Sequence, residues 1–203
     1  MKSLQRVVIT GLGAITPLGN TVAEFWSNVV AGKSGVGMIT KFDTTHFKTK
    51  FAAEVKDFDP SVYFERNEAR KYDLYVQYAV AAAQEAILHA AINLETVNKN
   101  KIGVIWGSGN GGITTFQEQV IHFVEGGKTP RFNPYFVPKM IGNMASGIIS
   151  IRYGFRGVNF TTISACASAL RVAPFNDDPP CGPAIVLNLP LASPSIVLET
   201  ASV

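Results

Sequence analysis

One stretch limits what this chain can become: residues 157–170, Gly-Val-Asn-Phe-Thr-Thr-Ile-Ser-Ala-Cys-Ala-Ser-Ala-Leu. From Val158 to Ile163 every residue except Asn159 is β-branched or aromatic, with no Pro or Gly, which predicts a buried strand. Residues 164–169 are all small, and small side chains let a chain turn sharply from strand into helix while its backbone packs closely. Cys166 then stands in the first turn of that helix. Free N–H groups and the positive end of the helix dipole favour a thiolate there, the form that attacks carbonyl carbon. The same residues also suit a buried, inert core thiol, and spacing alone leaves both readings open.

The chain of 203 residues is long enough for one domain or slightly more and for a sizeable core. With 47% hydrophobic and 16% charged residues it has a globular composition. A net charge of +3 is too mild to imply nucleic acid, but a modestly basic surface suits an acidic protein partner. Two cysteines, Cys166 and Cys181, form no disulfide framework and point to the cytosol. The N-terminus does not read as a signal peptide, because Arg6 leads into Val7-Val8-Ile9-Thr10 and then glycines. No apolar run reaches the ~20 residues of a membrane span, so no membrane is expected.

Along the chain, Arg6–Thr10 predicts a first buried strand running into Gly11-Leu12-Gly13. The dinucleotide fingerprint is not met, because Thr16 and Pro17 occupy its critical turn. Thr21–Ala31 predicts an amphipathic helix with Val22, Phe25, Trp26, Val29 and Val30 on one face, capped by Asn20 or Thr21 and stopped at Gly32. Residues 34–64 read as a loop-rich excursion with short strands, suited to partner contacts. Glu68–Ala91 predicts one long alanine-rich helix behind a charged cluster. Lys101–Ser108 predicts a second buried strand entering the glycine run 107–112. That run is not a phosphate-binding loop, since no Gly-Lys-Ser/Thr follows it. Ile113–Val124 predicts a helix broken at Gly126-Gly127.

Ser164-Ala165-Cys166-Ala167-Ser168 after an apolar strand resembles the nucleophile motif of the β-ketoacyl-[acyl-carrier-protein] synthases, with Ser164 where that family usually has Thr. The resemblance runs ungapped back through Tyr153-Gly154-Phe155-Arg156-Gly157. It recurs at Val8-x-Thr10-Gly11-Leu12-Gly13, Pro17-x-Gly19-Asn20, Gly32-Lys33-Ser34-Gly35, Phe42-Asp43, residues 133–138 and residues 143–147. It spans residues 5–170 and is strongest toward the elongating synthase II branch. It implies an α/β fold, the N-terminal half of a thiolase-like domain: a layered αβα arrangement of a largely parallel sheet with helices on both faces. The implied reaction is decarboxylative Claisen condensation of an acyl-enzyme with malonyl-carrier protein in fatty acid elongation. Cys166 becomes the acyl-accepting nucleophile, and its N–H supplies half of an oxyanion hole. Gly107, Asn110 and Gly111 fall at the acyl pocket and dimer interface, and Arg66, Arg70 and Lys71 at the docking site for acyl carrier protein. The resemblance further implies a homodimer in complete relatives, a cytoplasmic location, and no metal or organic cofactor. Other readings of the same residues are a non-catalytic module for carrier binding or dimerisation, and a polyketide-type ketosynthase fragment.

After Leu170 the character changes. Six of the 11 prolines fall within residues 171–203, and Pro174 is expected to break the helix that follows Cys166. Residues 1–170 therefore read as a synthase half-domain and 171–203 as an unmatched tail. The family's two catalytic histidines, its lysine and its Gly-Phe-Gly-Gly loop find no match, and His46, His89 and His122 read as surface or packing residues. The tail reads either as the product of a truncated or shifted reading frame, which is preferred, or as a sampled or designed sequence. In the second case residues 184–189 and 195–199 serve as replacement strands.

Overall fold

The computed structural model describes residues 6–165, 167–168, 184–188 and 193–201, with residues 6–7, 184–188 and 193–201 as backbone. In chain order the elements are β1 (Arg6–Ile15), α1 (Val22–Val30), β2 (Val36–Met38), β3 (Phe51–Ala53), α2 (Arg66–Ala69) and α3 (Leu74–His89). There follow β4 (Gly103–Gly107), α4 (Ile113–Glu125), α5 (Phe136–Met140), α6 (Met144–Tyr153), β5 (Asn159–Thr162), β6 (Ala184–Asn188) and β7 (Ser193–Ala201). Five strands form one sheet in the order β1-β7-β6-β4-β5, and β2 and β3 make a separate antiparallel ribbon. Strand β4 is parallel to β5 and β6, and β7 is antiparallel to both β6 and β1. Four strands thus share one direction and β7 opposes them. The segment read from sequence as an unmatched tail supplies two inner strands of this sheet.

Helix α3 lies against β1 and β7, and α6 lies beside it against β4 and β5. Between them and the sheet sits the main core: Val76, Val80 and Ala83 of α3, Val104 and Trp106 of β4, and Ile149 of α6. Asn159, the one residue of the strand stretch that is neither β-branched nor aromatic, has a role here. Its Nδ2 donates to Ser146 O at 3.0 Å and ties β5 to α6. The helix expected after Cys166 lies outside the described residues.

The single helix expected over Glu68–Ala91 is divided in two. Asp73 caps α3, its carboxylate accepting from Tyr75 N at 3.3 Å. Gln77 Nε2 donates to the carbonyls of Ala69 and Tyr72 (3.0 and 3.1 Å), satisfying the carbonyls freed at the break. A capping carboxylate competes with helix continuation at that position. The expectation of buried outer strands is also corrected. Among the described residues both β1 and β5 are edge strands; Ile9 of β1 is 59% exposed, and Val158 and Ile163, which flank β5, are 49% and 63% exposed. The apolar stripe of α1 likewise faces solvent, with Trp26 64% and Val30 70% exposed.

Gly11 and Gly13 find their reason in packing. A Cβ on Gly13 would stand 1.9 Å from the Ala82 carbonyl oxygen, and one on Gly11 2.3 Å from that of Ala86. Strand β1 and α3 meet backbone to backbone. Glu85 of α3 fixes the register, accepting from Ala14 N at 2.8 Å and from Val22 N at 2.9 Å, and so holds the end of β1 and the start of α1.

Trp106 is 2% exposed and its indole N–H has no partner among the described residues. An unpaired buried donor costs about 1–3 kcal/mol, comparable to the packing lost on shrinking the ring. Trp106→Phe is therefore expected to leave unfolding stability within about 1 kcal/mol of the parent. A loss above about 3 kcal/mol in urea titration would show that the N–H is bonded after all.

Candidate functional site

Parallel pairing of Gly107 with Thr162 brings the loops after β4 and β5 out at the same end of the sheet. The bond from Ser108 N to Thr162 O (3.1 Å) continues that pairing by one residue. Beyond Thr162 the chain turns at once. Ala165 takes φ +46°, a left-handed conformation that costs a residue with a Cβ about 1–2 kcal/mol. Ala167 N donates to Ser164 O (3.0 Å) and Ser168 N to Ala165 O (3.1 Å). Cys166 lies outside the described residues, as does Cys181; the structure describes the frame around Cys166.

Ser168 holds that frame together. It is 1% exposed, and its Oγ accepts from Ser164 N (2.7 Å) and has the carbonyls of Ala165 (2.7 Å) and Ser108 (3.0 Å) within donating distance. Thr162 Oγ1 closes the loop by donating to Ser168 O at 2.8 Å. Thr162, Ser164, Ala165 and Ser168 are thus braced against the end of β4. Small side chains are required, because the backbones on both sides lie within hydrogen-bonding reach.

The glycine run is threaded past a second backbone. Gly111 has φ +66°, and a Cβ there would stand 2.4 Å from Met140 O; on Gly112 it would stand 2.1 Å from Lys139 O. Gly112 N donates to Met140 O (3.0 Å) and Gly111 N to Ser108 Oγ (3.1 Å). Gly107 is buried and Asn110 exposed. The structure therefore brings Gly107, Asn110 and Gly111 together beside the turn around Cys166. Arg66, Arg70 and Lys71 form a separate group on and after α2. All three are exposed, and their side chains have no hydrogen-bond or ion-pair partner among the described residues.

Two further contacts join these groups. Thr115 Oγ1 donates to Asp73 Oδ2 (2.5 Å), fastening α4 to the start of α3. Tyr75 OH donates to Ile141 O. Burial holds the Tyr75 phenol above its ordinary range, so it stays protonated and keeps donating at neutral pH. Outside, Phe123, Phe132, Phe136 and Phe116 stack in sequence at 5.7, 5.7 and 6.3 Å. With exposed Ile113, Val120, Val124 and Val137 they form an open apolar surface on α4 and α5.

His46 and His122 are exposed, and His89 Nδ1 accepts from Leu12 N at 3.1 Å. The larger recess, about 480 Å³, is bounded by the loops around Asn20 and Asp57, and none of the candidate catalytic, acyl-pocket or docking residues lines it. A smaller one, about 310 Å³, includes Arg70. Sequence reasoning missed Ser168, Asp73 and Lys139. Ser168 was legible only as one small residue among several, and Asp73 carried a capping signal hidden inside a helical pattern. Among the described residues no group of three or more His, Cys, Asp or Glu could hold a metal ion, and no helix is long and apolar enough to cross a membrane.

Residues 4–174 match the family described as beta-ketoacyl synthase, N-terminal domain. The chain is 42% identical over 164 residues to 3-oxoacyl-[acyl-carrier-protein] synthase 2 of Synechocystis sp., covering 81% of this chain and 39% of that protein. It is 41% identical over 166 residues to the Coxiella burnetii protein of the same name, covering 82% and 40%. The chain thus spans about two fifths of the length of these relatives. Among solved structures, a beta-ketoacyl synthase from Burkholderia phymatum superimposes with a TM-score of 0.77 at 20% identity, over 98% of this chain and 60% of that one. A type II polyketide ketosynthase, solved with its acyl-carrier protein and a hexaketide, gives 0.76 at 19%, over 97% and 62%. At such identities the likeness concerns the fold, which is that of the thiolase-like ketosynthases.

Proposed function

The chain belongs to the β-ketoacyl synthase family, and from that premise we propose that it carries the nucleophile-bearing part of a synthase of the 3-oxoacyl-[acyl-carrier-protein] synthase 2 kind, acting in fatty acid elongation. The Cys166 thiolate attacks the thioester carbonyl of an acyl-carrier protein. The carrier's thiol leaves, and the acyl group remains on sulfur. The Cys166 N–H stabilises the oxyanion formed on the way. Condensation with a decarboxylated malonyl unit then needs imidazole donors that lie on other residues of the family. Exposed Arg66, Arg70 and Lys71 receive the acidic carrier protein, Gly107, Asn110 and Gly111 border the acyl pocket, and the apolar face of α4 and α5 supports pairing with a second copy in the cytoplasm. The observation that carries this reading is the buried Ser168 brace, which builds a rigid turn at the motif that matches the family.

The test is acylation. Mixing the chain with an acyl-carrier protein thioester is expected to give one acyl adduct by intact mass, mapped to Cys166 and absent from Cys166→Ala. Alkylation against pH is expected to find Cys166 reactive below the ~8.5 of a free thiol and Cys181 not. An adduct on Cys181, or equal rates at both cysteines, would overturn the assignment.

A further inference from the structure

The smaller recess combines features that the carrier-protein reading leaves unused. It lies where the start of α3, the first turns of α4 and the end of α5 meet, and Arg70, Lys139, Asp73 and Glu118 are among the residues around it. Asp73 is engaged with Tyr75 N and Thr115 Oγ1. Arg70, Lys139 and Glu118 have no side-chain partner among the described residues. Gln77 also lines it, 7% exposed, with both protons of Nε2 given to backbone carbonyls and Oε1 without a partner. A buried acceptor left without a donor is costly. The recess therefore offers two cations at its wall that have no side-chain partner among the described residues, whereas Gln77 Oε1 is itself sealed from solvent.

Lys139 is held in place by backbone. Its carbonyl stands so close to Gly112 that a Cβ there would lie 2.1 Å away, and Met140 O accepts from Gly112 N. The strain-prone glycine run thus sets Lys139 on the same recess as Arg70. Arg70 in turn continues directly into the exposed cationic group of Arg66 and Lys71.

Resting on the docking reading above, we infer that this recess is a specificity pocket of the carrier-protein surface, in which Lys139 and Arg70 clamp one carboxylate side chain of the docked protein. The exposed cations Arg66 and Lys71 attract the partner over a distance, and the recess fixes its register. Glu118, unpaired at the same recess, repels a second carboxylate and narrows the choice to partners with a single acid at that position.

The experiment measures binding of the 203-residue chain to purified acyl carrier protein by fluorescence anisotropy at low and moderate salt. Lys139→Glu is expected to raise Kd at least about tenfold, mainly by slowing association, and to flatten the salt dependence. Lys139→Gln, neutral and of similar size, is expected to weaken binding by a few-fold with an unchanged melting temperature. Lys139→Glu combined with Arg70→Glu is expected to fall short of the product of the single effects, because both act on one carboxylate. Parent-like binding by Lys139→Glu and Lys139→Gln, with weakened binding by Arg66→Glu and Lys71→Glu, would overturn the pocket and leave the docking surface standing. No carrier binding by the parent chain at all would overturn both.

Discussion

Gly13→Ala is expected to remove most of the protein's folding stability. The new methyl would lie 1.9 Å from the Ala82 carbonyl oxygen and 2.8 Å from Ala86 N, backbone atoms of α3 that no rotamer change can move. The helix cannot back away as a unit, because Thr115 holds its N-terminal cap and Glu85 holds β1 and α1 at mid-length. Overpacking against flexible side chains costs about 1–3 kcal/mol. Against fixed backbone it is expected to exceed that range, out of a total that for such domains is only about 5–15 kcal/mol. Gly147→Ala is the matched control. Gly147 sits inside α6 with no atom within 4 Å of its added Cβ, so the same substitution is expected to stabilise by about 0.5–1 kcal/mol. Urea unfolding followed by tryptophan fluorescence separates the two. A Gly13→Ala protein that unfolds with the parent's midpoint would refute the close contact.

The second large effect is catalytic. The 203-residue chain alone is expected to give no β-ketoacyl product from acyl- and malonyl-carrier protein, even where Cys166 is acylated as proposed. Acylation and decarboxylation are separate tasks, and the second develops enolate charge that needs positioned donors. Of the three histidines, His89 is engaged with the Leu12 backbone and His46 and His122 stand exposed. Removing one such stabiliser commonly costs on the order of 10²–10³ in rate, so two together place turnover below detection. Formation of β-ketoacyl product by the chain alone, dependent on Cys166, would refute this.

The parts of the fold that sequence conveyed were those governed by local chemistry. The strand–turn stretch around Cys166, the β4 strand with its glycine run, and the α1 and α4 helices are each written in side-chain size, branching or periodicity. What stayed hidden depends on distant partners. Exposure of Ile9 and Val158 follows from strand order, which β1 and β5 do not encode individually. Asp73 interrupts the long helical pattern because Gln77 and Thr115 make the break satisfiable, and neither partner is visible in a helical wheel. Gly11 and Gly13 mimicked a nucleotide loop because both jobs ask for a missing Cβ. At the site, the exposed clustering of Arg66, Arg70 and Lys71 was legible, whereas Ser168 and Lys139 acquire meaning only from backbones brought in from β4 and α5.

The strand order also has a bearing on how the molecule comes into being. Among the described residues strand β1 pairs only with β7, Arg6 lying opposite Ala201. On a ribosome adding about 5–20 residues per second, the first strand waits roughly 10–40 s for its only neighbour. During that interval its edge and the glycine-lined face meant for α3 are open to other chains. A topology with such distant pairing folds slowly, because loop closure precedes any reward from contact. Early docking of α3 onto Gly11 and Gly13, contacts about 70 residues apart that need no later strand, therefore serves as the nascent chain's own chaperone until residues 193–201 emerge.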